Sequence, residues 1–375
     1  MIDRDRLINR FIKLVEVGSE SGWEGSFRDL IKSECESRGL SVYEDDASEV
    51  LGGESGNLLI EIPGNVDAPP LLLAAHMDTV APGEGIKAII GEDDIIRSDG
   101  STILGSDDKA GIAAIMEVYD IIQENNLKHP PLEILFTVGE EMGLLGIKHF
   151  NFSQLKARSG YVLDAGSAPG TIVVQSPCQN EIEYVVSGRA AHAGINPEDG
   201  LNAVHLAAIA LSKMPCGRVD EETTCNFGTI HGGQARNIVA PTCRIKGEAR
   251  SLKRHKLDKL TNDLVNTFKH EVEKQGGTAE VDVTFLYPEV TLESSEEVIT
   301  LVTKAMENIG MQPQLVTTGG GSDACIIHNN GIRCANLGIG MSNCHTTREY
   351  IKISDLIDDA RLVLAIILEA SKGEA

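Results

Sequence analysis

Basic residues are scarce in this sequence. Its 375 residues include 33 Lys and Arg against 56 Asp and Glu, a formal net charge of −23 at pH 7. Proteins that bind nucleic acid cluster Lys and Arg to meet phosphate groups. The charge balance therefore argues against nucleic acid as a partner, and its simplest interpretation is solubility.

Long apolar segments are also missing. No stretch approaches the roughly 20 apolar residues of a membrane span, so we expect no membrane partner. The N-terminus, M-I-D-R-D-R-L-I-N-R-F-I-K-L-V-E-V-G, lacks the continuous apolar core of a signal peptide. It predicts an amphipathic helix that ends near Gly18, with its apolar residues at helical spacing. These apolar residues are Leu7, Ile8, Phe11, Leu14 and Val15. We expect a cytoplasmic protein.

The sequence has no C-x-x-C spacing. Its eight cysteines stand at positions 35, 178, 216, 225, 243, 325, 334 and 344. In a chain without an export signal, we expect buried thiols rather than disulfides.

The chain is long for one domain, and the pattern of apolar and polar residues changes along its length. The first half alternates short apolar runs, typical of strands buried on both faces, with helical patterns, which predicts α/β architecture. The runs are 57–62, 71–76, 132–138 and 161–164, and the helices lie around 24–38 and 108–123.

From about residue 180 the pattern predicts strand, helix, two strands, helix and strand. This β-α-β-β-α-β order is the ferredoxin-like signature. After Pro288 the α/β pattern returns, with predicted helices at 294–309 and from Ser354. We predict a discontinuous catalytic domain, residues 1–178 and 289–375, with an inserted α+β domain at 179–288.

Polar residues follow several apolar runs directly. His76 and Asp78 end one run, in A-A-H-M-D-T-V, and a carboxylate two residues away can hold a metal-bound imidazole. A strand-end His with a nearby surface Asp is an equal alternative for this pair alone. Asp107 and Asp108, in G-S-D-D-K-A-G, are by themselves better explained as a helix N-cap.

Glu140 and Glu141 follow another run, and two adjacent carboxylates there would repel each other without a cation or proton nearby. Asp164 ends Y-V-L-D, and His345 lies beyond the strand G-I-R-C-A-N-L. Open α/β sheets place their sites at the carboxyl ends of strands. Two His and three carboxylates suit a pair of zinc ions, with one carboxylate shared.

Together these motifs resemble the M20 family of metallopeptidases. The resemblance runs in order over nearly the whole chain, through A-H-M-D-T-V, L-G-S-D-D-K-A-G, G-E-E-M-G, V-L-D-A-G, G-R-A-A-H-A-G and N-C-H-T-T-R-E. Within the family the chain most resembles the peptidase T (tripeptide aminopeptidase) branch, through G-E-E-x-G-L-L-G and T-T-G-G-G-S-D-A.

The resemblance implies roles for seven residues. His76 and Asp164 would bind one zinc, Glu141 and His345 the other, and the carboxylate of Asp107 would bridge them. The Asp107–Asp108 peptide bond would be cis. Asp78 would orient His76, and Glu140 would be the general base. The resemblance also implies a zinc-exopeptidase-like domain and a homodimer formed through the inserted lid or dimerisation domain.

Substrate contacts are implied as well. His192 matches a histidine that points at the substrate carbonyl from a neighbouring subunit. Asn237 and Arg250 resemble positions that hold the substrate carboxylate, although a structural ion pair explains Arg250 equally well. Gly320, in the Gly-rich turn, could bring backbone close to substrate or simply make a tight turn. Thr318 stands where the peptidase T branch usually has Arg, which puts strict tripeptide specificity in question.

The sequence thus predicts a zinc peptidase that acts on short peptides, an aminopeptidase for tripeptides, with Co or Mn as other possible metals. Alternatives are an M20 deacylase or dipeptidase acting on N-acyl amino acids or dipeptides, or a non-catalytic protein that binds peptide or metal. The presence of Glu140 argues against the last, since metal binding alone does not require it.

Overall fold

The computed structural model describes residues 2–373, and the chain forms two compact units. The first unit contains the residues up to Gln175, residues 291–318, and the residues from Ser322 onward. The second contains residues 176–290 and 319–321. The Gly-rich turn thus groups with the second unit, although the predicted boundaries assign it to the catalytic domain.

The described range contains ten α-helices, numbered in chain order: α1 Arg4–Val15, α2 Gly25–Ser37, α3 Ala47–Leu51, α4 Ser106–Asn125, α5 Leu145–His149, α6 Ala203–Leu211, α7 Arg254–Lys274, α8 Glu297–Asn308, α9 Asp323–Asn329 and α10 Ile353–Ala370. In this range we find no helix with the length and apolar character that crossing a membrane requires.

The same range contains seventeen strands: β1 Val42–Glu44, β2 Leu58–Ile62, β3 Leu71–His76, β4 Ile89–Ile90, β5 Ile95–Arg97, β6 Leu132–Thr137, β7 Ser159–Ala165, β8 Thr171–Ser176, β9 Cys178–Ser187, β10 Gly217–Asp220, β11 Thr223–Gly232, β12 Thr242–Ser251, β13 Thr278–Tyr287, β14 Val290–Thr291, β15 Gln314–Thr317, β16 Arg333–Gly338 and β17 Tyr350–Lys352. The four apolar runs of the first half are confirmed as β2, β3, β6 and β7. Seven strands of two to four residues were not predicted, because so few residues carry no clear pattern: β1, β4, β5, β10, β14, β15 and β17. The six-residue strand β8 was missed as well.

The first unit is built on a sheet with the strand order β1-β2-β6-β3-β7-β16-β8-β14, in which β15 pairs with β8. Its central strands β6, β3, β7 and β16 run parallel. Every residue of β3 and β6 is buried, which explains why both read as continuous apolar runs. Parallel strands bring their carboxyl ends to one edge, and the predicted ligands lie at that edge.

Helix α4 packs directly on β3 and β7. Gly111 makes this close approach possible, because a Cβ atom there would lie 2.7 Å from the carbonyl oxygen of Leu163. The predicted N-terminal helix is confirmed as α1, which Asp3 caps by accepting the Arg6 N–H at 3.1 Å. Its five predicted apolar residues are all buried, and α1 packs on α4.

The second unit has a five-stranded sheet in the order β10-β11-β12-β9-β13, with antiparallel pairing throughout. Helices α6 and α7 pack on this sheet and enclose a core that includes Tyr184, Ile245 and Phe268. The predicted β-α-β-β-α-β order is confirmed, with the short β10 added before β11.

None of the eight cysteines forms a disulfide bond. Six are buried, as expected. Cys216 is exposed and Cys344 is partly buried, so the expectation is wrong for Cys216. Cys216 follows the end of α6 in a connection that runs over the surface of the second unit.

Candidate metal centre

The predicted ligands of the first unit lie at the carboxyl edge of its sheet. His76 is the last residue of β3, and Asp164 lies at the end of β7. Glu141 follows β6 after a turn at Gly139, whose φ of +59° favours glycine. His345 lies in the loop that joins β16 to β17. Residues from four separate chain segments therefore meet at one edge of the sheet.

Asp107 lies between the two histidines. Its Oδ1 atom is 3.0 Å from His76 Nε2, and its Oδ2 atom is 3.2 Å from His345 Nε2. Each imidazole faces a second carboxylate as well: His76 Nε2 is 3.7 Å from Asp164 Oδ1, and His345 Nε2 is 2.8 Å from Glu141 Oε1. The arrangement is two imidazole–carboxylate sets that share one carboxylate.

This geometry fits two metal ions. Two ligand atoms bound at about 2.0–2.1 Å to one tetrahedral zinc lie about 3.3 Å apart, close to the separations within each set. Nitrogen and carboxylate oxygen are donors that zinc accepts. Ligand atoms of His76, Asp107 and Glu141 all lie within 4.8 Å of one another.

Asp108 has no predicted metal role, but it lies close to two of the predicted ligands. Its carboxylate also comes within 4.8 Å of ligand atoms of His76 and Asp164. Its Oδ2 atom accepts the backbone N–H of His76 at 3.1 Å, so it holds the end of β3 in place. Its Oδ1 atom is buried and has no hydrogen-bond partner among residues 2–373. A cation near His76 would give that oxygen a partner.

The start of α4 is irregular where these two aspartates stand. The Asp107–Asp108 peptide bond is cis, as the resemblance implies. Asp107 has φ −82° and ψ 100°, and Asp108 has φ −120° and ψ 31°, so neither is helical. The regular helix begins at Lys109.

Burial and charge set the protonation of the two imidazoles. Burial alone would lower the pKa of His76, but its hydrogen bonds to Asp107 and Asp164 raise it well above the usual value. Hydrogen bonds to Asp107 and Glu141 raise the pKa of His345 to about 10. Without metal, two imidazolium ions therefore supply the positive charge that the carboxylates require.

The carboxylates respond in different directions. Burial alone would raise the pKa of Asp107, but the hydrogen bonds from His345 and His76 hold it well below its usual range. Burial raises the pKa of Asp164 to about 7. Burial, followed by the negative charge of Asp164, raises the pKa of Glu140 well above its usual value. Glu140 is thus the more basic kind of carboxylate that proton transfer uses.

Asp78 lies directly behind His76, but its contacts differ from the predicted arrangement. His76 Nδ1 is 2.9 Å from the backbone carbonyl oxygen of Asp78 and 3.4 Å from its carboxylate Oδ1. The carboxylate accepts the backbone N–H groups of Glu140 at 3.0 Å and Glu141 at 3.2 Å, and the hydroxyl of Ser21 at 2.6 Å. Asp78 therefore fixes the Glu140–Glu141 turn in addition to lying beside His76.

Two buried acids near this centre were missed from the sequence. Asp323 accepts the Thr137 hydroxyl at 2.5 Å, where β6 ends. Glu349 accepts hydrogen bonds from the segment that leads into Asp107. Asp323 lies in T-T-G-G-G-S-D-A and Glu349 in N-C-H-T-T-R-E, two of the motifs that carry the family resemblance. An acidic residue inside such a motif that has no assigned role is a signal by which both could have been found.

The second unit contains the predicted substrate residues. His192 is exposed, and its Nδ1 atom accepts the backbone N–H groups of Gly194 at 3.2 Å and Ile195 at 3.1 Å. An acceptor nitrogen carries no proton, so a neutral His192 carries its proton on Nε2. Asn237 is also exposed and accepts the Ala193 N–H through its backbone carbonyl at 3.0 Å. The structure thus brings His192 and Asn237 to neighbouring chain segments.

Arg250 makes an internal ion pair. Its guanidinium donates to both oxygens of Glu248, at 3.1 and 2.9 Å, and to the carbonyl oxygen of Gly319 at 3.1 Å. Gly320, half-buried, follows Gly319 in the same turn. The next glycine cannot be replaced easily, because a Cβ atom on Gly321 would lie 2.3 Å from the ring of Tyr287. The hydrogen bond to Gly319 therefore links Arg250 directly to the Gly-rich turn.

Comparison with known proteins identifies the family. The sequence profile described as peptidase family M20/M25/M40 matches residues 72–369. The chain belongs to this family. It is a hydrolase that acts on peptides, and its resemblance to the peptidase T branch is also confirmed.

Several M20 relatives match nearly the whole chain. The structure of aminopeptidase PepT from Bacillus cereus ATCC 10987 is 40% identical, covers 98% of this chain and 99% of its own, and has a TM-score of 0.89. The structure of a tripeptidase from Staphylococcus aureus subsp. aureus Mu50 is 39% identical, covers 99% and 100%, and has a TM-score of 0.95. The Bacillus subtilis (strain 168) protein YqjE, described as uncharacterized, is 39% identical over 99% of this chain and 100% of its own.

Proposed function

We propose that this M20 peptidase is a zinc-dependent aminopeptidase that releases the N-terminal residue of short peptides, tripeptides above all. The observation that carries the proposal is the position of Asp107, with one oxygen facing His76 and the other facing His345. A single carboxylate shared between two imidazole–carboxylate sets can hold two ions as close together as two-metal hydrolases have them. The names of the PepT aminopeptidase and the tripeptidase support the choice of substrate.

In this proposal His76 and Asp164 hold one ion, Glu141 and His345 hold the other, and Asp107 bridges them. When bound, the two ions polarise the scissile carbonyl and lower the pKa of water. The protein's contribution is to keep the five ligands fixed before metal arrives. The sheet edge holds two of the five, since His76 and Asp164 lie at the ends of the paired strands β3 and β7.

Glu140 is the proposed general base. It takes a proton from the attacking water and passes it to the amine that leaves. Its burial supports this role, because burial raises the pKa of a carboxylate and a more basic carboxylate accepts a proton more readily. Asp78 holds the backbone of Glu140 and so fixes where that base points.

His192 is the proposed donor to the substrate carbonyl, acting from the other subunit of a homodimer. Donation requires an N–H, and the two backbone groups that bond its Nδ1 atom leave the proton on Nε2. The inserted domain, residues 179–288, would supply both this residue and the dimer interface. Arg250, Asn237 and Gly320 would hold the substrate's carboxylate end, with Glu248 keeping the Arg250 guanidinium in place.

The proposed interface is the edge of β11. Among the described residues, β10 pairs with only the first part of β11, so positions 226–232 pair on one side alone. Ile230 is half-exposed on this edge. Pairing with the same strand of a second copy would satisfy the edge and cover Ile230. We also propose a cytoplasmic location, which is supported by eight cysteines that form no disulfide bond.

A substrate panel tests the proposal. Metal-free protein would be loaded with Zn²⁺, Co²⁺ or Mn²⁺ and assayed against a tripeptide, a dipeptide, the N-acetylated tripeptide and an N-acyl amino acid. We expect the free tripeptide to be cleaved fastest at its first bond, with two ions bound per chain. If the acylated compounds are cleaved fastest, the enzyme is a deacylase instead. If the dipeptide is cleaved fastest, it is a dipeptidase. Metal binding without any hydrolysis would overturn the assignment as an enzyme of this kind.

A further inference from the structure

Glu349 is a buried carboxylate that accepts four hydrogen bonds from one short segment. Its Oε2 atom accepts the backbone N–H groups of Leu104 and Gly105, both at 2.8 Å. Its Oε1 atom accepts the Ser106 hydroxyl at 2.6 Å and the backbone N–H of Asp107 at 3.1 Å. The side chain is 1% exposed. It therefore fixes the backbone of the proposed bridging ligand directly.

Glu349 also belongs to the loop that carries His345. Ser342 and Tyr350 close this loop with two backbone hydrogen bonds of 3.0 Å, and the Glu349 N–H donates to the Thr346 carbonyl at 3.0 Å. His345 has a φ of +61°, a left-handed conformation that a non-glycine residue adopts only where its surroundings hold it. Strand β17, which starts at Tyr350, pairs with β5 and anchors the base of the loop.

One side chain therefore joins the two segments whose ligands face each other. We propose that Glu349 is a positioning residue that sets the separation of His345 from Asp107 and thereby the affinity of the ion on the His345 side. This inference rests on the proposed two-metal function. His76 and Asp164 are held by β3 and β7. In the described range Glu349 makes no hydrogen bond to either strand. The ion bound by His76 and Asp164 should therefore depend less on Glu349.

The chemistry of the side chain explains why a carboxylate is needed. Four donors converge on it, and a carboxylate is acceptor-only with room for about four bonds. A glutamine has the same shape but turns its NH₂ group toward two of those donors. Glu349→Gln should therefore loosen the 104–107 segment without removing bulk, and buried donors left without an acceptor cost about 1–3 kcal/mol each.

A matched control exists in the same unit. Glu133, in β6, is 3% exposed and accepts backbone N–H groups of Lys156 and Ala157 at 2.8 and 3.0 Å. It stands at the opposite end of β6 from the metal centre. Glu133→Gln also replaces a buried carboxylate that accepts backbone N–H groups. It therefore measures how much any such replacement in this unit affects metal binding. Ser106→Ala is a milder variant, because it deletes one of the four bonds to Glu349 and keeps the carboxylate.

The test is metal titration of the metal-free full-length chain by calorimetry with Zn²⁺, together with metal content after dialysis. We expect wild type and Glu133→Gln to bind two ions, and Glu349→Gln to keep one tight ion and bind the second about 10–100-fold more weakly, the usual cost of losing a residue that orients a ligand. Its kcat should fall with KM little changed, and excess Zn²⁺ should restore activity. Ser106→Ala should show the same change to a smaller degree.

Two results would overturn the inference: wild-type affinity for the second ion in Glu349→Gln, or an equal loss in Glu133→Gln. If Glu349→Gln does not fold, an unchanged second affinity in Ser106→Ala would overturn it too. Failure of the proposed function is distinguishable, because the wild-type chain itself would then bind fewer than two ions or cleave no peptide.

Discussion

The backbone N–H of Glu140 donates to the Oδ1 atom of Asp78 at 3.0 Å. The proposed base is thus held by a carboxylate that itself lies 3.4 Å from the imidazole of His76. Because Asp78 also accepts the N–H of Glu141, one buried side chain links a ligand of each proposed ion to the base between them. Changes at Glu140 and at Asp78 should therefore have different consequences.

Glu140→Gln removes a proton acceptor and leaves the five proposed ligands in place. We expect hydrolysis to fall about 10²–10⁴-fold, the usual effect of losing a general base, while two ions remain bound. Steady-state kinetics and metal analysis of the same sample measure both quantities. Glu141→Gln is the contrast, because it changes a proposed ligand and should lower metal content. Near-normal activity in Glu140→Gln would remove Glu140 from the mechanism.

Asp78→Asn should act on both metal and base. The amide keeps one acceptor oxygen but turns an NH₂ group toward N–H donors of the Glu140–Glu141 turn or toward the Ser21 hydroxyl. We expect activity to drop about 10–100-fold, in line with other residues that orient metal ligands. Ser21→Ala, which deletes a single bond to Asp78, should have a smaller effect. An unchanged rate in Asp78→Asn would show that the Glu140–Glu141 turn keeps its conformation without the Asp78 carboxylate.

The sequence predicted the strands that build the site better than the contacts that tune it. Runs such as 71–76 and 132–138 are apolar throughout because both faces are buried, and this pattern is visible without any structure. Ligands at strand ends follow from the same pattern. The contact of His76 with the backbone oxygen of Asp78 could not be predicted, since it depends on how the chain turns after β3.

Glu349 illustrates the same limit. Its partners at 104–107 are distant in sequence, and a residue in an irregular loop carries no periodic signal that identifies its contacts. The Arg250–Glu248 pair is different, because both side chains are on β12 two residues apart, and strand alternation places them on one face. Local pairs follow from spacing, whereas loop-to-loop contacts require the fold.

Asp359 should make stability depend on pH. It is 1% exposed in α10, and neither carboxylate oxygen has a hydrogen-bond partner among residues 2–373. Burial, followed by the charges of Asp355 and Asp358, raises its pKa well above the usual value. An acid whose pKa is raised by folding favours the folded state below its unfolded pKa, about 3.8–3.9, and this stability is lost as pH rises through the folded pKa.

Asp359→Asn removes this titration. We expect the variant to be more stable than wild type at pH 7 and about equal to it near pH 4, with each unit of pKa shift worth about 1.4 kcal/mol. Urea unfolding of metal-free protein at several pH values measures the difference. Asp93→Asn is the control, because Asp93 is exposed, pairs with Arg97 at 2.8 Å and is not one of the charges that act on Asp359, so its loss should change stability little. A pH-independent difference in Asp359→Asn would contradict the prediction.

The dimer proposal predicts complementation between two inactive variants. Glu140→Gln lacks the base, and His192→Ala lacks the donor whose proton the Gly194 and Ile195 N–H groups place on Nε2. If His192 serves the site of the other subunit, a mixed dimer contains one site with both residues intact. Equal mixing with random exchange makes half the dimers mixed, so activity should recover to about a quarter of wild type. Subunit exchange is followed by mass photometry with one variant carrying a mass tag. Mixed dimers that stay as inactive as their parents would show that His192 serves its own subunit or no site at all, and a monomer with full activity would exclude the dimer.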